Sequence, residues 1–385
     1  MQRMKMSEYD LIIVGAGIHG AAIARAASHD GYKVCIIEQY SQAGLATSSR
    51  SSKLIHGGLR YLESYQFKLV KECLLERTIL LRTAPSLVKL VPFYIPVYKF
   101  NKRPAWLILI GLVIYRLLGG GKFRKVPKSE WSTLDHLNRK QLKAVFEYHD
   151  ALTDDKKLTQ LVLNDAIHQG AEFKPNCKLM TANLSSAKVQ VSLNNQENIQ
   201  AKLLINSSGP WVNEILKKIT PPQNKLSIDL VQGTHIVIPR TIDKGIYYVE
   251  APDQRVIFAI PWQQHCLLGT TESPFEDKPE NTQPLSEEIE YLLATWNQYF
   301  NDKLTTDDIL ESFSGLRVLP GSDDSAFNRS RDTLLHTDNT ENPKIISIVG
   351  GKLTAHRATA ESVMQIVHQQ IPGHAKTDTS KLHLK

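Results

Sequence analysis

The first strong pattern in the chain is an uninterrupted apolar run at residues 11–14, followed by a glycine-rich turn and apolar positions at helical spacing. A run with no polar alternation predicts a strand buried on both faces, as in a parallel sheet. A second such run, residues 34–37, closes a strand-helix-strand unit and ends on an acid, Glu38. Residues 59–82 carry apolar positions at helical spacing, with a break expected near Tyr65 and a stop at Pro85. Residues 91–100 alternate around prolines and predict an edge strand. Residues 150–170 predict an amphipathic helix, and the charge run at 154–157 reads as its solvated face.

Beyond that helix, residues 189–193 and 202–205 predict strands joined by a polar turn. The second runs into NSSGPWVN, where glycine lets backbone approach a ligand closely. Four short β-branched segments, 229–238, 245–250, 256–259 and 266–270, predict an antiparallel sheet, with a helix at 287–300 and a last β segment at 312–320. Residues 344–370 repeat the opening theme: a strand, then Gly350 and Gly351, then a helix.

Gly15, Gly17 and Gly20 complete a G-x-G-x-x-G motif with its strand, helix and acid in place. The first glycine permits the tight turn, the second lets N–H groups approach a pyrophosphate at the helix N-terminus, and the third lets helix and strand pack closely. Glu38 is placed to accept hydrogen bonds from a ribose. The motif implies a dinucleotide and leaves FAD and NAD both open. His19, inside the motif, reads as a structural residue.

Residues 105–115 carry no charge, and at about 1.5 Å per residue the stretch 105–118 spans roughly 21 Å, short of the roughly 30 Å needed to cross a membrane. Either a buried core helix or a monotopic membrane-contact element fits; Lys99, Lys102, Arg103, Arg116, Lys122, Arg124 and Lys125 flank it as basic anchors would. With 385 residues, 42% of them apolar, the chain can bury a large core in two or three domains. Its net charge of +7 is modest over that length and selects no partner. The four cysteines are far apart and form no C-x-x-C pair, so neither a zinc site nor a disulfide framework is expected, and no metal is assigned. The N-terminal residues show no secretory apolar region.

Several segments together resemble the FAD-dependent, respiratory type of glycerol-3-phosphate dehydrogenase: GAGIHGAAIA, ATSSRSSKLIHGGLRYLE, RPAWLILIGLVIY, GPWVN, QGTHIVIPR, IPWQQHCLLGTT, FSGLRVLP and VGGKLTAHR. Members of that family are expected to continue into a C-terminal helical domain beyond the matched segments. The resemblance implies an α/β fold with an α+β substrate part: a glutathione-reductase-like FAD-binding Rossmann domain (1–90, 150–225, 330–385) interleaved with an antiparallel-sheet substrate domain of the amino-acid-oxidase type (91–149, 226–329).

It further implies non-covalent FAD, with Gly15, Gly17 and Gly20 at the pyrophosphate and Glu38 at the ribose. Thr47, Ser48, Ser51, Lys53 and Leu54 would line the flavin side, Gly209 and Trp211 would close over the cofactor, and Gly351, Lys352, Leu353 and Thr354 would meet the isoalloxazine. A helix N-terminus at the ring's carbonyl edge would stabilise the reduced flavin. Arg60, Tyr61, Arg317, Arg331 and Lys352 would bind sn-glycerol 3-phosphate, since guanidinium forks suit phosphate. His235, and after it His56, are the candidate bases for the C2 hydroxyl. The implied reaction is oxidation to dihydroxyacetone phosphate with electrons passed to a quinone or other acceptor. An oxidase using O₂, another FAD-dependent 2-hydroxy or amino-acid oxidoreductase, and a non-catalytic flavin-binding relative are the alternatives. The expected setting is cytoplasmic, peripheral on the cytoplasmic membrane face, with a homodimer as a further expectation and no nucleic-acid partner.

Overall fold

A computed structural model describes residues 6–185, 187–321 and 333–384. The opening run becomes the strand Ser7–Val14, which pairs in parallel with Val34–Ile37 on one side and Asn198–Asn206 on the other. Glu172–Lys174 and Ile345–Val349 extend this parallel arrangement at its two edges. Both faces are covered, which is why the run does not alternate: Leu11 and Ile13 pack against helices Ile18–His29, Asp155–His168 and His356–Gln370, while Ile12 and Val14 pack under the antiparallel ribbon Leu179–Asn183, Val189–Leu193 and the start of Asn198–Asn206.

A second, ten-stranded sheet is built around Ile228–Ile238, His265–Gly269, Val256–Trp262, Ile246–Glu250, Lys89–Tyr98 and Leu142–Leu152. Its neighbours are antiparallel except Ile246–Glu250 against Lys89–Tyr98. The helix Ser286–Tyr299 covers one face through Leu292, Trp296 and Tyr299; Phe67–Thr83 and Ala105–Tyr115 cover the other. The break expected near Tyr65 is present, with that residue at φ 57° between a short 3₁₀ turn and the helix Phe67–Thr83.

Three expectations are corrected. The proline-bearing strand is interior, not an edge: it pairs with Leu142–Leu152 along its length and with Ile246–Glu250 only at Phe93 and Tyr94, between Pro92 and Pro96. The missing N–H groups thus fall outside the short second pairing. The segment expected to be helical from residue 150 continues as strand to Leu152, and the helix starts at Asp155 with Asp154 as N-cap, accepting from the Lys157 N–H at 3.0 Å. The 154–157 run is not simply a solvated face either. Asp155 is fully buried, accepting from Lys53 Nζ at 2.7 Å and from Ser51 Oγ at 2.7 Å.

The uncharged helix Ala105–Tyr115 has one side in the core, as the buried-helix reading expects, and an apolar side exposed. Ile108, Leu112 and Tyr115 are buried in the core, whereas Trp106 is 63% exposed, Ile110 48% and, just beyond the helix, Leu117 80%. Arg103 is withdrawn as a surface anchor, since it is buried and ion-paired with Glu63 and Glu250.

Replacing Asp155 with alanine leaves the Lys53 ammonium buried without its carboxylate, so Asp155→Ala is expected to cost about 3–5 kcal/mol. Urea denaturation monitored by circular dichroism measures it; a loss below about 1 kcal/mol would show that the pair is not a structural anchor.

Candidate active site

Between the two sheets lies a cavity of about 540 Å³, lined by the glycine turn of the first sheet and by strand residues of the second. Gly15 adopts φ +97°, and a Cβ there would sit 2.9 Å from the Ser207 carbonyl oxygen, so only glycine lets strand Asn198–Asn206 close over the turn. Gly20 does not line the cavity. A Cβ on it would lie 1.9 Å from the Gly15 oxygen, so it keeps the helix tight against the turn. Gly17 lines the cavity beside Ser48, whose hydroxyl accepts the Ile18 N–H at 3.0 Å. Glu38 accepts from the Ala16 N–H at 2.7 Å and the Tyr40 N–H at 3.0 Å. Burial lifts its carboxyl above the usual carboxylate range, against the pull of those donors.

The segment 207–211 also lines the cavity, as expected of NSSGPW; Trp211 donates to Glu280 Oε1 at 2.7 Å. Thr47, Ser51 and Leu54 line it as well, with the Thr47 hydroxyl donating to the Leu316 carbonyl at 2.9 Å. Lys53 does not. Its ammonium turns inward to Asp155, 5.3 Å from the ring centres of Trp262 and Phe313, because a buried cation goes where a carboxylate and aromatic faces offset its desolvation.

Gly350 to Thr354 complete the lining just before the helix His356–Gln370, with Gly350 at φ +77° and Gly351 at φ +94°. A Cβ on Gly351 would lie 2.4 Å from His19 Nε2, so this histidine joins the two glycine segments. Burial drops its imidazole to about 4, in keeping with a neutral structural role. Thr354 Oγ1 accepts the His56 N–H at 3.2 Å.

Arg60, Tyr61, Arg317 and Lys352 line this same cavity, although far apart in sequence. Tyr61 presents its ring to two cations, Lys352 Nζ at 4.0 Å and the Arg60 guanidinium at 5.6 Å from its centre. The Lys352 ammonium is buried with no hydrogen-bond partner among the described residues. Arg317 donates to Glu272 Oε1 at 2.8 Å and to Thr270 Oγ1 at 3.0 Å. Arg331 falls outside the described residues.

His235 and His56 both line the cavity. His235 is buried, its Nε2 2.9 Å from Ser52 Oγ, its ring stacked on Phe313 and its Nδ1 without a hydrogen-bond partner among the described residues. Burial, reinforced by Lys53 and Arg317, holds its imidazole well below the ordinary histidine range, so it is neutral near pH 7.

Sequence reasoning passed over Ser52, Arg255, Thr270 and Glu272, all of which line the cavity. Ser52 lies within the quoted SSRSSKLIHGG segment, but only the fold shows that it touches His235. Arg255 donates to the Glu272 carbonyl at 3.0 Å, a contact between two connecting segments that no local pattern announces.

This lining suits FAD. A glycine turn at a helix N-terminus fits a pyrophosphate, Glu38 ends the strand that follows, and a buried, unpartnered ammonium awaits an electron-rich group.

Comparison with known proteins agrees with the geometry. Residues 10–357 match the model of the FAD dependent oxidoreductase family. The aerobic glycerol-3-phosphate dehydrogenase of Escherichia coli is 36% identical over 372 residues, covering 94% of this chain and 73% of that protein. D-erythritol 1-phosphate dehydrogenase of Brucella abortus is 36% identical over 381 residues, covering 94% and 74%. The structure of the glycerol-3-phosphate dehydrogenase from Bacillus halodurans complexed with FAD superposes with a TM-score of 0.75 at 25% identity, covering 100% of this chain and 68% of that one. The chain belongs to the FAD-dependent oxidoreductase family, among the glycerol-3-phosphate dehydrogenases whose motifs it carries.

Proposed function

We propose that the protein oxidises sn-glycerol 3-phosphate to dihydroxyacetone phosphate, with the C2 hydride passing to flavin N5 and the electrons onward to a quinone. The observation that carries this reading is the meeting of Arg60, Arg317 and Lys352 in the cavity that also holds the glycine turn. FAD, when bound, supplies the two-electron acceptor.

The protein's own contribution is binding, orientation and a proton acceptor. Arg317 offers a fork whose geometry matches phosphate oxygens, and its bonds to Glu272 and Thr270 hold that fork in place. Lys352 and Arg60 add charge, and Arg331 is proposed as a fourth cation. A carboxylate substrate such as an amino acid needs one cation; this set suits a dianion. His235, neutral and buried, is the proposed proton acceptor for the C2 hydroxyl, with His56 second. A dianion beside it favours the protonated ring, so substrate binding itself strengthens the base.

The name of the Brucella relative supports a second reading within the same chemistry, a longer polyol phosphate as substrate. The flavin site would be unchanged, and the two are separated by kcat/KM for glycerol 3-phosphate against erythritol phosphate.

Membrane contact is part of the same proposal. No helix among the described residues is long and apolar enough to cross a membrane. The exposed side of Ala105–Tyr115, with Lys99, Lys102, Arg116, Lys122 and Lys125 exposed around it, suits a peripheral hold on an anionic surface. A peripheral position on the cytoplasmic membrane face belongs to this reading, and the exposed apolar side with its basic surround supports it.

Anaerobic addition of glycerol 3-phosphate to the holoenzyme is expected to bleach the flavin band near about 450 nm; an unchanged spectrum would sink the dehydrogenase reading. Hydrogen peroxide production in air without a quinone would instead assign the oxidase alternative. Arg317→Ala is expected to lower kcat/KM about 100-fold, about 2.7 kcal/mol, with flavin content retained. Wild-type kinetics in that variant would remove Arg317 from the phosphate site. In sedimentation with vesicles containing anionic phospholipid, the protein is expected in the pellet, and Trp106→Ser combined with Leu117→Ser should shift it to the supernatant. Equal pelleting of both forms would discount the helix.

A further inference from the structure

The segment that presents Arg60 and Tyr61 to the cavity begins at Gly57 and Gly58, and the side chain that fixes its start belongs to a helix outside the site. The Gly57 N–H donates to the Tyr115 hydroxyl at 2.9 Å, and that hydroxyl donates to Asp150 Oδ2 at 2.6 Å. Tyr115 and Asp150 are both buried, at 1% and 0% exposure. The other Asp150 oxygen is held by Arg77, which also donates to the His149 carbonyl at 3.0 Å and the Gly119 carbonyl at 3.1 Å. Arg77 thereby ties the strand carrying Asp150 to the turn that follows Tyr115.

The glycines leave this contact no slack. A Cβ on Gly57 would lie 2.5 Å from the Tyr115 hydroxyl oxygen, and one on Gly58, at φ +77°, would lie 2.2 Å from the Tyr61 ring. The backbone therefore runs between two tyrosines: Tyr115 on the core side, Tyr61 on the cavity side, with Lys352 over the latter ring. Among the described residues the Tyr115 hydroxyl bonds only Gly57 and Asp150; it acts through the peptide that leads to Arg60 and Tyr61.

We infer that Tyr115, oriented by Asp150 and Arg77, is a positioning residue that sets where Arg60 and Tyr61 stand in the substrate site. What is bound there rests on the glycerol 3-phosphate reading, but the effect on the segment does not. Removing the hydroxyl takes away the acceptor 2.9 Å from the Gly57 N–H and the donor to Asp150, leaving the Asp150 carboxylate alone to hold that N–H, and the segment adjusts by moving. Displacements of this kind far from the chemistry are costly because bound geometry is demanding. The helix that presents an apolar side to solvent is by this route fixed to the active-site loop.

Tyr115→Phe keeps the ring and its packing, and its holoenzyme is compared with wild type by hydrogen exchange and by kinetics. Exchange at the amides of residues 57–61 is expected to rise about tenfold, with KM for glycerol 3-phosphate up about tenfold and kcat and flavin content changed less than about twofold. The matched control is Tyr98→Phe, which removes a buried hydroxyl bond to the Asn138 carbonyl on the other face of the same sheet. It is expected to shift neither quantity, so general destabilisation is not the explanation. Wild-type exchange at residues 57–61 in the Tyr115→Phe protein overturns the inference. If the wild-type enzyme does not turn over glycerol 3-phosphate, the functional reading fails and the exchange comparison still decides this one.

Discussion

The carboxylate of Asp155 is the point at which the two halves of the molecule are joined. It stands at the first turn of a helix of the nucleotide-binding sheet, where the helix dipole favours an anion, yet it is wholly removed from water. A charge so placed needs partners, and besides the Lys156 N–H of its own helix it takes them from one loop: Lys53 Nζ, the Ser51 hydroxyl and the Ser51 N–H. That loop is thereby immobilised. Its neighbouring residues, Thr47, Ser48, Ser52 and Leu54, line the cavity, and Ser52 reaches across to His235 of the second sheet. One buried ion pair thus anchors a loop that forms part of the cavity wall.

Electrostatics in the cavity follows from what is left after such pairing. Lys53 is spent on Asp155, Arg103 on Glu63 and Glu250, and Arg317 is paired with Glu272 on the cavity wall. Lys352 keeps a buried ammonium beside an aromatic ring, with no carboxylate among its described contacts. The cavity therefore concentrates positive charge where an anionic ligand would repay the desolvation already incurred. Burial holds the His235 ring well below the ordinary histidine range, and the positive charge of Lys53 and Arg317 adds to that.

A second pattern is that glycines do their work in pairs of contacts. Gly15 and Gly20 let two backbones meet at the first strand, and Gly351 lets His19 pack between the opening and closing segments. Gly57 and Gly58 do the same between Tyr115 and Tyr61. At Gly15, Gly57 and Gly351 the absent side chain brings together stretches far apart in sequence, while at Gly20 and Gly58 it keeps a local turn tight.

The sequence by itself determined the strand-glycine-helix unit, the break at Tyr65, the antiparallel strands and the final glycine pair, because each is written in local periodicity or in a residue with special backbone freedom. It also carried the motifs that name the family, and with them Arg60, Arg317 and Lys352 as candidates. It misplaced Lys53, Asp155 and the proline strand for one shared reason. Charge and proline patterns report what a residue prefers alone, whereas burial depends on partners contributed from a hundred residues away. Only the tertiary structure could decide that Asp155 is a core anion, that Arg103 is no surface anchor, that Ser52 meets His235, and that the same uncharged helix shows solvent an apolar side while its Tyr115 bonds the Gly57 backbone. Such contacts join elements whose separation in sequence leaves no local trace, because they are selected by how helices, loops and sheets pack in the fold and not by the residues on either side.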